Sequence, residues 1–203
     1  MINPKLLFLV LGFILGLIAL SAVHFVNLES DETHYHANFA LHVNGVRDEF
    51  KSFAFYEEVQ ECSLNDKNNV KARVHMHDQK NNLIHVHDNG VTWGQFFANL
   101  GYTLGNKAIS TDKGTFVDGA NDTKLTFILN GEPTTNIENK VINSEDALLI
   151  NFGNESSDAL KQKYNSIEKD AKEHNAEDDP VTCSGGATLS FTSRLKKSFG
   201  LNP

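Results

Sequence analysis

Between Val70 and His87 the chain reads VKARVHMHDQKNNLIHVH, and this stretch restricts the fold more than any other. His75 and His77 are two residues apart, as are His85 and His87. Side chains alternate between faces along a strand, so each pair points one way while Val74, Met76, Ile84 and Val86 point the other. A polar connection from Asp78 to Leu83 would fold the two segments into an antiparallel hairpin, with His75 opposite His87 and His77 opposite His85. A sheet buries its apolar face, so a patch of four imidazoles is expected on the other one. Upstream, Thr33 to Val43 repeats the phase: His34, His36 and His42 share one parity, and Tyr35, Phe39, Leu41 and Val43 the other. Periodicity alone does not put this segment beside the hairpin.

One His-x-His says little, since a strand histidine is ordinarily a surface or hydrogen-bonded residue. Three clusters phased alike point to a transition metal, because imidazoles gathered within a few ångströms either share a cation or repel when protonated. Zinc and copper both suit imidazole, and the affinity order favours copper at equal availability. The candidate ligands are His75, His77, His85 and His87, with His34, His36 and His42 completing that site or building a second. Asp78 follows His77 and Asp88 follows His87, so either carboxylate can accept a ring N–H and orient its imidazole; both are also ordinary turn formers. Met76 would suit copper(I), but its parity sends it to the core. Two rivals to metal binding or handling stay open. One is a metalloenzyme with Asp78, Asp88 or Glu132 as base; the other is a metal-free structural or pH-sensing module.

A largely apolar run from Leu6 to Val26, with no formal charge apart from any on His24, is long enough to cross a bilayer as one helix. Lys5 precedes it, and Glu29, Asp31 and Glu32 follow, so a retained anchor with a cytoplasmic N-terminus and an extracytoplasmic remainder is expected. Cleavage near Ser21 and Ala22 is the alternative, giving a secreted protein. The formal charge of −8, with 26 acidic against 18 basic residues and no basic stripe, argues against a nucleic-acid partner and favours cations. A second copy of the chain or a membrane protein is a further candidate partner. Two cysteines, Cys62 and Cys183, fit one disulfide in an oxidising compartment.

In chain order, residues 1–28 form the anchor or signal segment, 29–33 a linker, 34–153 a histidine-bearing domain, and 154–203 an amphipathic helix with a disulfide-tethered basic tail. Asn44-Gly45 and Asn130-Gly131 are hairpin turns. Thr92 and Gln95 match a capping box opening a short helix, whose Trp93, Phe96, Phe97 and Leu100 form a core stripe, with Gly101 just past its end. Strands are expected at Thr115–Val117, Lys124–Leu129 and Ala147–Phe152. One long helix is expected from Asn154 to Glu173, carrying Leu160, Tyr164, Ile167 and Ala171 on one face. His174 reads as a helix-end or solvent residue. Arg194, Lys196 and Lys197 flank an apolar line of Phe191, Leu195 and Phe199 that suits a membrane surface or the domain itself. The fold class is α+β: an antiparallel β-rich domain with a short packed helix, β-grasp-like in element order, plus one transmembrane helix and a C-terminal helical region.

The sequences His34-Tyr35-His36-Ala37-Asn38-Phe39, Asn44-Gly45, His75-Met76-His77-Asp78, Ile84-His85-Val86-His87 and Thr92-Trp93-Gly94-Gln95-Phe96-Phe97 together resemble a family of uncharacterised, exported, membrane-anchored, histidine-rich microbial proteins. The likeness runs from about His34 to Leu104 and implies a recurring extracellular histidine module without an activity to carry over. The paired histidines are also similar to those of cupins. The glutamate and later isolated histidine of that fold are missing at suitable spacing, and it is not adopted.

Overall fold

A computed structural model describes residues 4–27, 33–56, 70–176, 195–196 and 198–200. The chain forms two compact units, one of Met1–Asp31 with Gly186–Pro203 and one of Glu32–Gly185. In the first, helix α1 spans Pro4–Asn27, and its Lys5–Phe25 segment is long and apolar enough to cross a membrane. Its large apolar side chains are exposed, which suits lipid and not water.

The second unit is built on a mixed sheet. Strand β1 (Tyr35–Val43) turns through Asn44 and Gly45, both at positive φ, into the short β2 (Val46–Arg47). A four-residue helix, α2 (Val70–Arg73), runs directly into β3 (Val74–His75), and β4 (Leu83–Val86) follows. Helix α3 (Trp93–Asn99) opens with the expected box: Thr92 N–H donates to Gln95 Oε1 at 3.0 Å and Gln95 N–H donates to Thr92 Oγ1 at 3.3 Å. Strands β5 (Thr103–Leu104), β6 (Ala108–Thr111) and β7 (Gly114–Val117) make a separate small meander. Strand β8 (Lys124–Leu129) pairs with β9 (Glu132–Thr134) through the Asn130-Gly131 turn, and β10 (Ala147–Gly153) is the last strand among the described residues.

The main sheet runs β3-β4-β1-β10-β8-β9, with β2 also on β1. β1 and β10 are parallel at its centre; the other pairs are antiparallel. One face is apolar. Ala37, Phe39 and Leu41 of β1, Val74, Ile84 and Val86 of β3 and β4, Met76 just beyond β3, and Leu148, Ile150 and Phe152 of β10 pack against Trp93, Phe96 and Phe97 of α3 in a single core.

The other face is covered by the chain after β10. Instead of one long helix there are two, α4 (Ser157–Asn165) and α5 (Ala171–His174). The break lets Ile167 turn inward onto Ala40, Ile128 and Leu149, with Leu160 and Tyr164 beside it. Further along, Asp170 Oδ1 accepts from Asn38 Nδ2 at 2.6 Å, and the Ala171 N–H donates to Asn38 Oδ1 at 3.0 Å. The segment therefore runs antiparallel to β1, covering Ala40 first, then Asn38, then His36.

The expected disulfide is withdrawn. No disulfide is found among the described residues, and Cys62 and Cys183, the chain's only cysteines, both lie outside them. Arg194 and Lys197 also lie outside the described residues.

Candidate metal centre

The hairpin register differs from the sequence expectation. Val74 pairs with Val86 and His75 with His85, a shift that keeps every side chain on its expected face. The cause is the connection: Asp78 and Gln79 both take positive φ and the Lys80 N–H returns to His77 O, so His77 falls within the turn and β3 ends early. β4 also pairs with β1, placing His36 against His85. His75, His85 and His36 thus stand in a row across three adjacent strands spaced about 4.8 Å apart. His34 and His87 sit just beyond the ends of β1 and β4.

These six rings touch. His34 stacks on His87 with centroids 4.7 Å apart, and lies 4.6 Å from His36. His85 is central, 3.6 Å from His77, 4.3 Å from His36 and 5.9 Å from His75. His75 and His87 are 5.1 Å apart. The one group whose ligand atoms all lie within 4.8 Å of each other, among the described residues, is His34, His85 and His87.

The outer nitrogens are anchored. His77 Nδ1 is 2.7 Å from Asp78 Oδ2, His75 Nδ1 is 2.8 Å from Lys71 O, and His36 Nδ1 is 2.9 Å from Asn175 Oδ1. The inner ones are different. Nε2 of His77, Nε2 of His85 and both ring nitrogens of His87 are buried without a hydrogen-bond partner. Each such atom costs about 1–3 kcal/mol in a closed protein, a cost that one coordinated cation would offset at several atoms together.

Burial and neighbouring imidazoles also keep three of the rings, His34, His85 and His87, neutral. Burial, then His77 and His75, lowers His34 to about 4. Burial, then His75 and His34, lowers His87 to about 2, and burial with His77 and His36 pushes His85 strongly down. The neutral form carries the lone pair that a metal needs, so at pH 7 the donors are ready.

Not every expected residue joins. His42 lies six residues along β1 from His36, about 20 Å away at strand rise, opposite Arg47. Asp88 accepts from Arg73 Nε at 2.6 Å and from the Asn89 N–H at 2.7 Å, so it serves its turn rather than an imidazole. Conversely, His174 comes to the rim. Its ring is 5.7 Å from that of His36, and its Nε2 accepts from Lys80 Nζ at 2.8 Å. Neither His174 nor Asn175 carries a local signal of this placement; only the fold of the C-terminal segment onto β1 supplies it.

No family model, curated protein or solved structure matches the chain. What holds independently of any relative is one N-terminal membrane-length helix and a histidine cluster able to coordinate a metal ion.

Proposed function

We propose that this protein binds a transition metal ion, zinc or copper, on the extracytoplasmic side of a membrane, with His34, His85 and His87 at the heart of the site. The observation that carries the reading is their convergence within 4.8 Å, together with the unpartnered buried nitrogens of His85 and His87. His77 and His75 stand close enough to enlarge the ligand set. His42 belongs to a different environment and is not included.

Binding or handling is favoured over metal-dependent catalysis by the state of the candidate bases. Asp78 is engaged with His77 and Asp88 with Arg73, while Glu132 is exposed on β9 at the opposite end of the sheet. Location rests on the Lys5–Phe25 segment and on the charges flanking it, which favour Lys5 inside and the histidine domain outside. Handling requires a donor or acceptor of the ion, and a second copy or another membrane protein beside the anchor is the partner this reading calls for. Residues 29–33 serve as linker and 34–153 as the metal-bearing domain. Its central parallel pair with a helix across one face supports a β-grasp-like assignment.

The test is elemental analysis of the full chain purified in detergent without chelator, followed by calorimetric titration of the stripped protein with zinc and copper(II). About one ion per chain is expected. Absence of binding by both ions would overturn the reading in favour of a metal-free pH-sensing module, whose assembly would change toward pH 4 as His34 takes up a proton.

A further inference from the structure

At the residue that caps α5, hydrogen bonding determines more than position. The backbone N–H of His36 donates to Asn175 Oδ1 at 2.8 Å. A peptide N–H can only donate, so the amide oxygen of Asn175 must face β1. Its other end agrees, since Asn175 Nδ2 donates to Ser144 Oγ at 2.9 Å. The same Oδ1 lies 2.9 Å from His36 Nδ1. A carbonyl oxygen has no proton to give, so His36 Nδ1 bears one, and in a neutral imidazole Nε2 is then a bare lone pair. That lone pair is 2.9 Å from His85 Nδ1, which must be the donor. His85 Nε2, buried and without a hydrogen-bond partner, is left as the free lone pair.

We propose that Asn175 is a positioning residue that acts through His36 to hold His85 as its Nδ1–H tautomer, so that Nε2 is the nitrogen His85 offers to the metal ion. The inference rests on the metal-binding reading and assigns His36 to the relay instead of the ligand set. It also gives one rule for the cluster. Asp78 does for His77, and the carbonyl of Lys71 for His75, in one step what Asn175 does for His85 in two. The relay ties the site to the segment after β10: a histidine on β4 has its ligand atom chosen by the residue that caps α5.

The test uses the metal-free full chain in detergent with isotope-labelled histidine, at about pH 7.5 where an ordinary imidazole is neutral. Long-range proton–nitrogen correlation spectra distinguish the two tautomers. In the wild type, His36 and His85 should both be Nδ1–H. Asn175→Ala removes the acceptor. His36 should then revert to the Nε2–H form that free imidazole prefers, donate to His85 Nδ1, and switch His85 with it, with zinc affinity falling about 10- to 100-fold. Asn175→Asp retains an acceptor oxygen and should preserve both tautomers and most of the affinity. His36→Leu removes the middle link and should release His85 in the same way, which tests the relay even if Asn175→Ala does not fold. An Nε2–H His85 in the wild type, or an Nδ1–H His85 that persists in Asn175→Ala or His36→Leu, overturns the relay. The spectra need no metal: tautomers that follow the variants in a chain binding neither zinc nor copper(II) would uphold the relay and sink the metal reading. Zinc binding with tautomers that ignore the variants would do the reverse.

Discussion

β1 presents two faces to two different covers, and they are closed by different forces. Its odd-numbered residues, Ala37, Phe39 and Leu41, meet an aromatic helix and need only shape. Phe39 alone contacts the rings of Phe50, Phe96 and Phe97 at 5.0 to 5.8 Å. Its even-numbered residues, His36, Asn38, Ala40 and His42, are also buried, His36 and Asn38 beneath hydrogen-bonding partners. Asn175 meets His36, Asp170 and Ala171 meet Asn38, and only Ala40 meets an apolar side chain, Ile167. An apolar face tolerates approximate neighbours, whereas a buried polar face is stable only if each atom finds its partner. The first face therefore supplies stability and the second supplies chemistry. The clustered unpartnered nitrogens of His77, His85 and His87, unlike the lone Nδ1 of His42, are where the proposed ion would sit.

The division is most strongly tested by Phe96→Ala in α3. Removing a fully buried ring that packs on Phe39 should cost about 3–5 kcal/mol, read by denaturant unfolding. Zinc affinity of the folded fraction should be nearly unchanged, and a loss comparable to that of a ligand variant would show that the two faces are not separable. On the polar face, His85→Ala should lower zinc affinity by more than about 100-fold, beyond what losing an outer partner costs. His42→Ala, on the same face outside the cluster, should leave calorimetric affinity within about twofold, as an uncoupled site would. Equal effects from the two variants would mean that the ion binds elsewhere.

A third experiment separates the two ends of the polar face by pH. Burial, then Lys163 on α4 and Arg47 on β2, lowers His42 to about 4, while Glu155 and Glu49 pull the other way. In the unfolded chain it titrates near 6.5. Between those values the unfolded state binds the extra proton. The stabilising contribution is therefore complete above pH 6.5, is lost as pH falls toward 4, and does not change further below that. In metal-free protein, His42→Gln should flatten the acid limb of unfolding free energy against pH by about 2 kcal/mol, allowing for partial screening. An unchanged slope would place all the acid sensitivity in the histidine cluster. The smallest expected effect is Thr92→Ala. Loss of the capping box should cost about 1 kcal/mol in thermal or denaturant unfolding and leave zinc affinity unaltered, because Thr92 opens α3, whose Trp93, Phe96 and Phe97 pack on the apolar face.

Much of the first face was legible in the residues. Alternation placed Val74, Met76, Ile84 and Val86 inward, Thr92 and Gln95 marked the start of α3, and Asn-Gly pairs marked both hairpin turns. These are local signals, set by a period or by one hydrogen-bonded turn. The hairpin register was less legible, because it depended on how Asp78 and Gln79 bend. Since the side-chain period is two, a shift that preserves parity left the face assignment intact while changing every partner.

The sequence by itself determined that the histidines of three segments share one parity and that this parity opposes the apolar one. Strand geometry repeats every second residue and leaves no other choice. Only the tertiary structure decided that β1 lies beside β4, that His36 and His42 part company along a single strand, and that Asn175 reaches His36 across 139 positions of chain. Those outcomes depend on contacts between segments far apart in sequence, where no local periodicity operates and where each partner is chosen by the packing of the whole sheet and its C-terminal cover.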